Sequence, residues 1–100
     1  MPKSPEQIAV EKVRTACEAS PKLKAELVAA WLEVCDVLDG QDLSTWPPLR
    51  CNEIHRRTNR ARAAFILEFA ASTNTNAAKA AARAASIAWL TQGQCLGREH

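Results

Sequence analysis

The chain has 100 residues and a formal net charge of +2, with 47% apolar and 24% charged residues. That composition excludes a disordered chain and argues for one globular domain, too short to wall off a deep enzyme pocket around its single core. The charge is too small to require a nucleic-acid partner, and no apolar run is long enough to cross a membrane.

Alanine occurs 19 times, 13 of them between Ala61 and Ala88, while glycine occurs three times and tyrosine never. Alanine is the strongest helix former, so composition alone points to an all-α chain. Ser4-Pro5-Glu6-Gln7 reads as a helix start. Ser4 caps, Pro5 suits the first helical position and Gln7 closes a capping box. Val10, Val13 and Cys17 then share a face, and the helix is expected to stop near Ser20.

Ser20-Pro21 repeats the start signal. Leu23, Leu27, Trp31, Val34 and Leu38 recur at spacings of three and four, the stripe of a core-facing helix. Val28, Leu32 and Val37 are expected to widen that stripe, and Gly40 to cap its end. Gln41–Pro48 is expected to be a loop stiffened by Trp46-Pro47-Pro48, with Trp46 either a lid on the core or an exposed contact.

A third helix is predicted from about Pro48 to Ala71. Cys51, Ile54, Thr58, Ala61 and Phe65 share its apolar face, and Ala63–Ala71 is apolar nearly all round. Ser72-Thr73-Asn74-Thr75 is a polar turn. The fourth helix is predicted from Asn76 to about Gln92, stopped by Gly93, with residues 94–100 a flexible tail. Four helices with short connections make a compact single-domain bundle.

Charge is distributed unevenly. Pro21–Asp42 holds two Lys against five Asp/Glu, whereas Arg50–Arg62 holds five Arg against one Glu. Arg56, Arg57, Arg60 and Arg62, with Arg50, are candidate contacts for phosphates or an acidic protein surface. The plainer reading is a solvated face on which Glu53 pairs with Arg56 and Arg57. Glu33, Asp36 and Asp39, flanked by Glu26 and Asp42, could mimic a row of phosphates. For that stripe a solvated helix face is the simpler account.

Catalysis is not expected. His55 lies among arginines rather than in a triad, and no phosphate loop or nucleophile elbow is present. Cys51 and His55 have a zinc-compatible spacing that Cys95 and His100 could complete, but no tight Cys-x-x-Cys pair supports it. No metal or cofactor is therefore expected. Met1–Glu6 is polar with no apolar run after it, so a cytoplasmic setting with free thiols is expected, with Cys17, Cys35 and Cys51 at apolar-face positions of helices as core packing.

The segment Phe65–Ala85, FILEFAASTNTNAAKAAARAA, resembles the opening of helix-turn-helix segments in phage small-terminase and repressor proteins. The polar recognition helix that should follow is replaced by apolar Ser86–Leu90 and by Gly93 and Gly97. Taken whole, from Met1-Pro2-Lys3-Ser4-Pro5-Glu6-Gln7 to Gly97-Arg98-Glu99-His100, the chain resembles the small single-domain anti-CRISPR proteins of phages and mobile elements. Within that group it resembles helical inhibitors of type I surveillance complexes, subtype I-F included. The likeness is one of size, helicity and surface, so no residue role carries over by position.

The resemblance implies a non-enzymatic stoichiometric inhibitor in the bacterial cytoplasm. It would dock on the Cas backbone or large subunit and block target-DNA recognition or hybridisation. Its contact residues would be Arg56, Arg57, Arg60 and Arg62, or Glu33, Asp36 and Asp39. The alternative is a small DNA-binding accessory protein, a repressor or packaging factor, acting through the arginine helix. A third reading is a homo-oligomer joined through the alanine-rich fourth helix.

Overall fold

The structure, a computed structural model, describes residues 2–44 and 48–99, with side chains described through Thr91. Among them are four helices and no strand: α1 (Pro5–Ala19), α2 (Pro21–Ser44), α3 (Cys51–Ser72) and α4 (Thr75–Glu99). The chain is thus an all-α bundle.

The predicted start signals work as read. Ser4 Oγ accepts from the Gln7 amide at 3.2 Å, and Gln7 Oε1 accepts from the Ser4 amide at 3.0 Å, closing the capping box. Ser20 ends one helix and begins the next. Its amide donates to the Ala16 carbonyl, and its hydroxyl accepts from the Leu23 amide at 3.2 Å. No linker separates α1 from α2.

Three boundaries differ from expectation. Helix α2 does not stop at Gly40 but continues to Ser44. Gly40 costs the helix only about 1 kcal/mol relative to alanine, and the added turn is held from outside by bonds at Gln41 and Asp42 described below. Helix α3 begins at Cys51, because Arg50 is still extended, with ψ 158°. Helix α4 passes Gly93 and runs to Glu99, since an isolated glycine weakens a helix without ending it. Trp46 lies outside the described residues.

Between α3 and α4 stands a two-residue turn. Thr73 is in the left-handed region, with φ 54°, and its amide donates to the Phe69 carbonyl at 2.8 Å. Asn74 Oδ1 then accepts from the amides of Asn76 and Ala77 at 2.9 and 3.1 Å, capping α4.

Helices α3 and α4 form the most extensive pairing, with α1 lying on α3 and α2 on α4. The core draws Leu27, Ala30, Val34 and Leu38 from α2, Ala61, Phe65 and Phe69 from α3, and Ala78 and Ala82 from α4. Burying side chains such as Leu and Phe stabilises by about 1.5–3 kcal/mol each. Small alanines let α4 approach α3 closely. Trp31 meets Phe65 edge to face, with ring centroids 5.6 Å apart. Lys12 Nζ donates to the Ala70 carbonyl at 2.7 Å, tying α1 to the C-terminal end of α3, where carbonyls lack intrahelical partners.

The molecule is flat, 46 × 34 × 20 Å, so α2 is covered on one side only. Val28 and Leu32 do not widen the buried stripe. They are 50% and 58% exposed, and Val37 is 38% exposed. The charges of α2 also run against its dipole. Lys22 and Lys24 occupy the first turn, and no basic residue the last, an arrangement worth about 0.3–1 kcal/mol per charge in the unfavourable sense.

Candidate contact surfaces

The five arginines of the 50–62 segment do not form one face. Arg57 is completely buried. It lies three residues after Ile54 and four before Ala61, on the inward side of α3, and its stem enters the junction of α2 and α3. There Nη2 donates to the Leu38 carbonyl at 2.9 Å and forms an ion pair with Asp42 Oδ1. Among the described residues the nitrogens Nε and Nη1 have no hydrogen-bond partner. Beside this pair, Ser86 Oγ of α4 donates to Gln41 Oε1 at 2.9 Å. The polar joint therefore fastens the last turn of α2 to both α3 and α4. Arg57 accordingly cannot meet a partner in this fold, which corrects its place among the contact residues. Asp42 likewise leaves the acidic stripe.

The remaining arginines are exposed. Arg56 and Arg60 are one turn apart on one flank, whereas Arg62 follows Arg60 by about 200° of helical rotation and lies on the opposite flank, near exposed His55. Glu53 does not neutralise the first flank, because its ion-pair partner is Arg50, at 4.0 Å. Among the described residues no carboxylate lies within ion-pairing distance of Arg56, Arg60 or Arg62. Beneath Arg60 runs an open groove of about 320 Å3 between α3 and α4, lined by Ala63, Ala64, Leu67, Ala85, Ala88 and Trp89.

On α2, Glu33, Asp36 and Asp39 are exposed. Glu33 is engaged within the molecule, accepting from Lys79 Nζ of α4 at 2.7 Å. That hydrogen bond first, and the positive charge of Lys79 second, hold its carboxyl below the usual glutamate range. Asp36 and Asp39 are not in any ion pair among the described residues. They lie beside Cys35, whose thiol is pushed up by burial and by those two charges. The acidic stripe is thus divided between an internal strut, Glu33, and two exposed carboxylates.

Cys51 and His55 are both exposed, so Cys51, at the first residue of α3, is not part of the core, contrary to what its place in the apolar stripe predicts. Among the described residues no three His, Cys, Asp or Glu side chains gather as a metal-binding group. The side chains of Cys95 and His100 lie outside the described set. Helix α4 is a single run of 25 residues, so the turn and separate recognition helix expected of a helix-turn-helix have no counterpart among the described residues. Ala78, Ala82 and Ser86 are buried inside the molecule, which leaves that face of α4 unavailable as a subunit interface. No helix of the described chain is long and apolar enough to span a membrane.

Comparison with protein-family models, curated proteins and solved structures gives no match to this chain.

Proposed function

We propose that this protein is a non-enzymatic binding protein that acts as a stoichiometric inhibitor of a type I CRISPR–Cas surveillance complex. The choice of that partner rests on the resemblance in size, helicity and surface to helical anti-CRISPR proteins. The contact we assign is the Arg56/Arg60 flank of α3 with the apolar groove beside it. The observation that carries this choice is the exposure of both arginines, one turn apart and paired with no carboxylate among the described residues, with Arg60 lining a groove that contains Leu67 and Trp89. Arginine and aromatic groups around an apolar centre are enriched in protein interfaces. Guanidinium also suits a forked approach to carboxylates.

The test is the double reversal Arg56→Glu/Arg60→Glu. It is expected to abolish pull-down of the surveillance complex and relief of target-DNA cleavage, with the helical circular dichroism unchanged. Reversal of Asp36 and Asp39 is expected to leave both intact. An Arg56/Arg60 variant that still inhibits would sink the assignment of this face. Fluorescence anisotropy of labelled DNA separates the other reading. Tight binding that falls steeply with salt would make the same arginines phosphate contacts, and the protein a DNA-binding accessory factor.

A further inference from the structure

The exposed side of α2 carries a pattern that its own fold does not use. Ala25, Val28, Leu32, Cys35 and Asp39 follow one another at spacings of three and four, the seam of a two-helix coil. The buried stripe of the same helix, Leu27, Val34 and Leu38, faces the other way. Val28 and Leu32 stand at the centre of the seam, half or more exposed, with Cys35 half-buried beside them. The charges along α2 are segregated, Lys22 and Lys24 at its beginning and Asp36 and Asp39 towards its end. Within one molecule that order opposes the helix dipole.

We infer that this face of α2 is a self-association surface, on which a second copy of the chain packs its own α2 antiparallel. Antiparallel pairing is the arrangement in which the segregated charges become complementary. Placing Val28 of one copy against Leu32 of the other also places Ala25 against Cys35. In the same register Asp36 flanks the seam beside Lys22, while Asp39 falls opposite Pro21, three residues from Lys24. A two-fold axis makes each contact twice, as an isologous dimer requires. The two helix dipoles run in opposite senses, and each basic N-terminal turn meets the acidic end of its partner. A parallel pair would instead set Asp36 and Asp39 against their own copies. The apolar seam supplies burial, and the flanking charges set direction and register. This surface is separate from the Arg56/Arg60 flank, so the two assignments stand or fall independently.

Sedimentation equilibrium of the full chain, from micromolar to about 1 mM, reads the association directly. Wild type is expected to move from monomer to dimer mass and to stop there. Leu32→Glu, at an exposed position that the fold tolerates, is expected to weaken the dimer by about a hundredfold or more, because two carboxylates would be buried against apolar groups. Lys22→Glu is expected to weaken it about fivefold or more while leaving the monomer fold intact. Adding Asp36→Lys to that variant is expected to restore it. A wild-type chain that stays monomeric throughout overturns the inference. So does a dimer indifferent to Leu32→Glu, and so does failure of the double charge exchange to restore what the single reversal removes.

Discussion

Helix α3 is built in two halves that solve burial differently. Its C-terminal half enters the core through Phe65 and Phe69, which share one cluster with Ala78 and Ala82 of α4, and Phe65 also meets Trp31 edge to face. Its N-terminal half sends in a charged group, Arg57, which must find Asp42 and the Leu38 carbonyl to be tolerated there. Apolar contacts are non-directional and accept small shifts. A buried guanidinium with two nitrogens unpartnered among the described residues does not, since unmet polar groups cost about 1–3 kcal/mol each. The apolar half therefore supplies stability, and the polar half fixes how α2 and α3 meet.

The strongest way to break that contrast is to remove one partner of the polar joint. Arg57→Ala is expected to cost about 3–5 kcal/mol in denaturant unfolding, because it strands Asp42 in the interior. The double change Arg57→Met/Asp42→Leu is expected to regain most of the loss, since apolar replacements of a buried pair are commonly neutral or stabilising. A double variant no more stable than Arg57→Ala would mean that the joint is itself a net source of stability. In the apolar half, Phe69→Ala is expected to cost a comparable ~3–5 kcal/mol by cavity formation, but no second substitution at Asp42 should rescue it.

Smaller changes sharpen the comparison. Thr73 holds a left-handed φ that a β-branched residue adopts at a cost of about 1–2 kcal/mol. Thr73→Gly is expected to raise the thermal midpoint by relieving it. Gly40 sits inside α2 with nothing within 4 Å of where a Cβ would stand, so Gly40→Ala is expected to stabilise by about 0.5–1 kcal/mol. The smallest effect is electrostatic. Glu33, with its lowered pKa, contributes stability above its unfolded pKa and loses it as pH falls through the folded value. Glu33→Gln is expected to flatten the acid side of the stability profile slightly, leaving neutral-pH stability within the range of a surface ion pair.

Much of the fold was legible because it is encoded locally. Ser4 and Gln7, Ser20 and Pro21, and the Leu27–Leu38 stripe act within a few residues of themselves, where cap chemistry and helical period decide the outcome. The fate of Arg57 was half legible. Its position between Ile54 and Ala61 marks the inward face, but its residue type suggests solvent, and the deciding partner, Asp42, comes from another helix. Val28 and Leu32 read as core because apolar spacing on α2 does not say how many sides a neighbour covers. That depends on the flatness of the assembly, a property of all four helices together. Arg56 and Arg60 were visible in the sequence as members of an arginine cluster, but not as the pair that stays exposed on one flank. The groove beside them requires α4 to lie alongside, which spacing on α3 alone does not state.

The tie from Lys12 to the Ala70 carbonyl also bears on the order in which the molecule assembles. It joins positions 58 residues apart, whereas α3 and α4 are connected through two residues and are close in sequence throughout. Closing the longer loop carries the greater entropic cost, and local pairings form soonest. The α3–α4 hairpin is therefore expected to form early and α1 to dock last. Pulse-labelled hydrogen exchange during refolding would then protect the amides of α3 and α4 before those of α1. Equal protection times would mean that the four helices condense in a single step.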